Sequence, residues 1–184
     1  GIRAAHTDTV LNWVTDYKKV IERGIKAIKE DAKKRLEKIA PRDMMTKGVF
    51  LKSCIACCDG IVTWANRHAD EAERLAALPE TSESRKKELL KIAEVCRRVP
   101  EYPATGFQEA LQSEWFVYMY TRLEQLVAGS LSLGRLDQTL YPYYKKDIEE
   151  GKITREEARE LLESTWVNMS EAMVIMVTPA GSSF

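Results

Sequence analysis

The chain has 184 residues, 45% hydrophobic and 30% charged, enough for one sizeable core or for a large piece of a bigger one. Lysine plus arginine and aspartate plus glutamate each number 28, and this formal neutrality argues against nucleic acid or an anionic membrane as the main partner. No uninterrupted apolar run approaches the ~20 residues that span a bilayer. Gly-Ile-Arg-Ala-Ala-His6 opens no signal peptide, so the expectation is a cytoplasmic protein.

From Tyr17 the apolar positions Tyr17, Val20, Ile21, Ile25, Ile28, Ala32, Leu36 and Ile39 recur in steps of three and four, which predicts an amphipathic helix near 16–40. Asp16 stands where an N-cap is needed, and Pro41 closes the helix. A longer helix near 43–78 follows, with Cys58, Val62, Ala65, Ala69, Ala72 and Ala76 on a seven-residue period. Its glycines and small residues fit close packing inside a globular body. Cys54-x-x-Cys57-Cys58 falls on this helix. With only Cys96 as a further sulfur, and His6 and His68 in no ligand spacing, no metal site is expected, and both Cys57 and Cys58 read as packing.

A third helix is predicted near 84–98, and Val99-Pro-Glu-Tyr-Pro103 must run extended after it. Thr105-x-x-Gln108 has the form of a capping box that opens a helix near 106–126. That helix is apolar nearly all round from Trp115 to Tyr120, so it should be buried on several sides. The stretch Gly129 to Tyr144 then breaks the pattern. Two glycines, two serines and an Arg135-x-Asp137 pair suit a turn or a short strand, with Gly129 and Gly134 free to take positive φ. Leu140-Tyr-Pro-Tyr-Tyr144 reads as the start of a short helix with Pro142 in its first turn. After Gly151, Thr154-x-x-Glu157 is a second capping box, opening a helix near 155–177. No phosphate loop, dinucleotide fingerprint, nucleophile elbow or H-E-x-x-H occurs. The residues alone describe a mainly α body, a helical bundle with one loop or short-strand segment and no internal domain boundary.

The run from Glu109 to Trp166 resembles the glycyl radical enzymes of the pyruvate formate-lyase type. The matching words are Glu109-Ala-Leu-Gln-Ser-Glu-Trp-Phe116, Glu124-Gln125, Ser130-Leu-Ser-Leu-Gly-Arg135, Asp137-Gln138, Leu140-Tyr-Pro-Tyr-Tyr-Lys-Lys-Asp147 and Gly151-Lys-Ile-Thr-Arg-Glu-Glu-Ala158. Asp16-Tyr17-Lys-Lys-Val20 and Pro100-Glu101-x-Pro103 also fit, so the resemblance covers most of the chain. It implies a partial domain of a large anaerobic lyase, a helical part of an α/β barrel. An activase using S-adenosylmethionine and an iron–sulfur cluster installs a glycyl radical in that family, and a cysteine carries it to the substrate. Neither radical loop is recognisable in this chain, so no catalytic residue and no directly bound cofactor is expected here, and the segment alone should be inactive.

The resemblance also implies a substrate-pocket wall at Ser130, with Gly129 and Leu131 beside it, and a second contact region at Asn12 and Trp13. Arg135, Asp137 and Tyr141 would position the loop. Where diol-acting relatives carry a histidine before the serine, this chain has Gly129, and Asn12–Val14 lack another polar handle. These departures point to an apolar substrate and to hydrocarbon addition to fumarate, as in aryl- or alkylsuccinate synthases. Aromatic-acid decarboxylation and diol or amine lysis are the alternatives, with a non-catalytic helical interaction module the reading of another class. Implied partners are a small-molecule substrate, the remainder of the same polypeptide, the activase, further copies in a homo-oligomer and small accessory subunits.

Overall fold

The computed structural model describes residues 13–124 and 131–177. A two-residue strand β1 (Trp13–Val14) leads into α1 (Tyr17–Glu37). A 3₁₀ turn (Pro41–Asp43) and a π turn (Met44–Gly48) precede α2 (Val49–Ala76), so the predicted single helix starts in two irregular turns. Next come α3 (Glu83–Arg98), α4 (Phe107–Glu124), a second short strand β2 (Leu131–Ser132), α5 (Leu136–Glu149) and α6 (Arg155–Val177). The described body is mainly helical, with one strand pair, as the periodicities imply.

Helix α4 separates two cores. On one side Phe116 joins the small-residue stripe Ala65, Ala69, Ala72 and Ala76 of α2 and Leu89, Ala93 and Cys96 of α3. Alanines let the two helix backbones approach, and Arg97 of α3 ties the pair outside by ion pairs to Asp70 and to Glu73 at 2.9 Å. On the other side Phe107, Ala110, Leu111, Val117 and Tyr118 pack with Tyr17, Val20, Ile21 and Ile25 of α1, Leu131 of β2 and Leu140 of α5. A helix buried on both flanks cannot be amphipathic, which is why α4 reads as apolar all round. The helical run Pro41–Ala76 is long and apolar enough by length and composition to cross a membrane. Here its alanine stripe is packed against α3 and α4.

Helix α1 is interrupted where the sequence predicts continuity. Gly24 takes φ 73° and ψ 156°, a region essentially closed to side chains. The extended Pro100–Ala104 segment supplies the missing partners: Ile25 N–H donates to Pro100 O, Lys26 N–H to Glu101 O, and Ala104 N–H to Ile21 O. The break therefore trades helical bonds for bonds to a segment far along the chain.

The caps divide into local and distant ones. Asp16 accepts from Lys19 N–H at 3.2 Å, and Thr154 and Glu157 bond reciprocally at 2.7 and 3.1 Å, both as expected from their spacing. At α4 the expected Thr105–Gln108 box is replaced. Thr105 bonds through its N–H and hydroxyl to Glu109, and the Phe107 N–H donates to the buried Asp147 of α5 at 2.6 Å. A Cβ on Gly106 would stand 2.6 Å from that same carboxylate, which explains the glycine. Asp147→Ala should therefore destabilise the protein by about 1–2 kcal/mol, because a buried N–H loses a charge-assisted acceptor. Asp147→Asn, which keeps an acceptor oxygen, should lose less than half as much, read as the shift in thermal midpoint by circular dichroism.

Helix α5 begins earlier than the sequence suggests. Gly134 at φ 67° turns the chain, and the Arg135 carbonyl accepts from the Gln138 and Thr139 N–H groups, so the helix runs from Leu136. Pro142 consequently lies in the second turn, where it leaves the Gln138 carbonyl without its helical donor, and not in the first turn.

Candidate functional site

The strands β1 and β2 pair in parallel, Trp13 opposite Leu131 and Val14 opposite Ser132. Two of the predicted wall residues, Trp13 and Leu131, are thus neighbours across one backbone bridge. Leu131 is buried in the core beside Tyr17 and Tyr118. Val14 lies over the turn: a Cβ on Gly134 would come within 2.7 Å of its Cγ1, so only glycine lets the turn pass beneath it. The Gly134 N–H donates to the Ser132 hydroxyl at 3.0 Å and fixes the exit from β2. Asn12, Gly129 and Ser130 lie outside the described residues.

The predicted positioning residues sit at the mouth of α5. Arg135 and Asp137 form a two-pronged ion pair, Nε to Oδ1 at 3.0 Å and a second nitrogen to Oδ2 at 2.8 Å. The guanidinium holds the Asp137 carboxyl below its ordinary range. Both side chains are exposed, so the pair orders the turn while adding little stability. Tyr141 is also exposed and leans on Tyr144, which packs edge-on against Phe107. A cleft of about 650 Å³ between α5 and α6 is floored by Phe107, Leu140 and Leu162, and of the predicted residues within the described parts only Asp137 and Tyr141 line it.

Helix α4 carries a buried polar line that the sequence reading did not single out. Glu114, Tyr118 and Arg122 follow one another at steps of four on α4, a single helical face. Glu114 is 2% exposed, and neither carboxylate oxygen has a hydrogen-bond partner. Burial alone pushes its carboxyl up to about 8, so the group is mainly protonated at pH 7. The Tyr17 phenol is pushed up to about 12, chiefly by burial, with the Thr15 hydroxyl acting against this and Glu114 and Tyr118 adding to it. Arg122 is 4% exposed and donates to the Tyr118 hydroxyl at 3.1 Å. Its Nε has no partner, and among the described residues no acid pairs with it. The signal was present: a helix with no solvent face must bury whatever charge it carries.

The cysteines separate. Cys58 and Cys96 are buried and burial pushes both thiols up, Cys96 to about 11, which makes them poor nucleophiles. Cys57 is exposed, contrary to the expectation that it packs, because the seven-residue stripe turns it off the α2–α3 seam. No group of three metal-ligating side chains occurs among the described residues.

A family described as pyruvate formate lyase-like matches residues 6–181. The isethionate sulfite-lyase of Oleidesulfovibrio alaskensis is 47% identical over 177 residues, which cover 95% of this chain and 21% of that protein. A structure concerning 1,2-propanediol dehydration in Roseburia inulinivorans aligns with a TM-score of 0.81 and 43% identity, covering 86% of this chain and 19% of that one. A hydroxyproline dehydratase from Clostridioides difficile, with trans-4-hydroxy-L-proline bound, gives 0.80 and 34%, covering 86% and 20%. The chain thus spans about a fifth of the length of these relatives.

Proposed function

The chain belongs to the pyruvate formate lyase-like family of glycyl radical enzymes, and from that premise we propose that the full-length protein is a glycyl radical lyase of a small hydroxylated substrate, with a sulfonate such as isethionate preferred. The segment is one helical part of a larger barrel enzyme. The observation that carries the proposal is the parallel bridge, which sets Trp13 against Leu131, next in sequence to Ser130. This chain's residues bound the substrate, orient it and keep water out. The radical, installed elsewhere in the polypeptide by an S-adenosylmethionine-dependent activase, supplies the hydrogen abstraction.

The apolar-substrate expectation rested on missing polar handles at Gly129 and Asn12–Val14. None of the relatives described above is a hydrocarbon-adding synthase, and isethionate, propanediol and hydroxyproline are all polar, so hydrocarbon addition to fumarate loses its support. The absent histidine at Gly129 now argues against a diol and in favour of the sulfonate. A diol lyase is the second reading, favoured by the propanediol structure. A cytoplasmic location, an activase partner and a homo-oligomer belong to the same proposal.

In the activated full-length enzyme, Ser130→Ala should raise KM about tenfold, the cost of an unmatched buried hydroxyl on the substrate. Trp13→Ala should raise KM by a similar factor with a smaller effect on kcat. Unchanged KM in both variants would remove the bridge from the pocket wall.

A further inference from the structure

We propose that Arg122 is the residue of this segment that recognises the anionic head of the substrate, a sulfonate or carboxylate, presented to it at the C-terminal end of α4. This rests on the reading of the Ser130 segment as pocket wall. Arg122 is a buried guanidinium with one described bond, to the Tyr118 hydroxyl at 3.1 Å, and an Nε with no partner. A cation removed from water needs a counter-charge, and none is found among the described residues.

Glu114, on the same face of α4, does not meet that need. It lies two turns back, ~12 Å along the axis, and its carboxyl is mainly protonated at pH 7. The negative end of α4 offsets part of the charge and leaves the Nε donor of the guanidinium without an acceptor. The planar donors of a guanidinium match the oxygens of a sulfonate or carboxylate. Position agrees with chemistry. Arg122 occupies the last turn of α4, from which the chain runs on through Ser130 into β2. Tyr118, which holds Arg122 by its hydroxyl and carries the cation 5.5 Å from its ring centre, shares a core with Leu131 of the bridge. The guanidinium is thus steadied from one side by a residue that also belongs to the core of Leu131.

The test uses the full-length enzyme without activation, so that binding is read apart from turnover. Isethionate and the neutral propane-1,2-diol are the probes, followed by titration calorimetry. Arg122→Gln should raise the Kd for isethionate at least thirtyfold and change any binding of propane-1,2-diol less than twofold. Arg122→Lys should fall between, since it keeps the charge and loses the planar fork. Tyr118→Phe, which removes the steadying bond alone, should raise the isethionate Kd three- to tenfold. A folded Arg122→Gln with wild-type affinity for isethionate overturns the proposal, as does a wild-type enzyme that binds propane-1,2-diol and ignores isethionate. If Arg122→Gln does not fold, Arg122→Lys decides, and an unchanged Kd there also overturns it. Ser130→Ala separates the two readings: if it leaves isethionate binding intact while the Arg122 variants weaken it, the pocket wall is wrong and the anion site stands.

Discussion

Replacing Gly24 by alanine is expected to destabilise the protein by roughly 2–6 kcal/mol. Two costs add. The backbone at φ 73° and ψ 156° is a region where a side chain costs about 1–3 kcal/mol. A Cβ there would also stand 2.7 Å from the Tyr102 carbonyl carbon and 2.8 Å from its Cα, and overpacking against backbone costs a further ~1–3 kcal/mol. Neither neighbour is a flexible tip that could swing away. Hydrogen exchange should localise the damage, with faster exchange at the Ile25, Lys26 and Ala104 amides, whose partners are the Pro100, Glu101 and Ile21 carbonyls. A Gly24→Ala protein with an unchanged thermal midpoint would show that the break in α1 is not held by the Pro100–Ala104 segment.

The second large effect concerns Glu114. Its carboxyl moves from an ordinary value of 4.5 to about 8 in the folded protein, because burial penalises the charged form and no partner offsets this. The native state therefore binds the proton more tightly than the unfolded state does. Below about pH 4.5 both states are protonated and the contribution is fully present. As pH rises from there to about 8 the contribution is lost, at up to about 1.4 kcal/mol per pH unit, and above 8 the loss is complete. Glu114→Gln has nearly the shape of the neutral acid and no proton to lose. Its thermal midpoint should equal or exceed that of the wild type at pH 8, and the difference between the two should shrink steadily towards pH 5. A difference that does not vary with pH would mean that Glu114 is charged in the folded protein and has a partner. The neutral acid also bears on Arg122, because its deprotonation would put a negative charge on the same face of α4.

What the sequence reveals of this fold follows the range of each interaction. The Asp16 cap and the Thr154–Glu157 box are legible because both partners lie within one helical turn. The alanine stripe of α2 is legible for the same reason, as a period along one helix. The break at Gly24 is not, since its cause is a segment two helices later. The cap on α4 misled for a related reason: Thr105 and Gln108 have the right spacing, yet Phe107 finds a stronger acceptor in Asp147, brought in from α5. The early start of α5 was hidden by Gly134, Arg135 and Asp137, which read as a loop until the turn geometry is known. At the site, family likeness pointed to Trp13 and Leu131 but not to their pairing. Glu114 and Arg122 are hidden in the sequence because charged residues at helical spacing ordinarily mark a solvated face.

The bridge between β1 and β2 has a consequence for the order in which the chain can fold. Trp13 and Leu131 touch in space but are separated by most of the sequence, and closing so long a loop yields only two residue pairs in return. Such a contact cannot lead; it forms late, after local helices and the α2–α3 hairpin have shortened the path between its ends. On the ribosome the wait is physical, because β1 emerges long before the strand it pairs with and must be kept from other partners meanwhile. Among the described residues the two-residue parallel pair also has an open edge on each side, and it is too small to stand by itself in water. The proposed substrate wall would then be among the last parts of this segment to reach its final form.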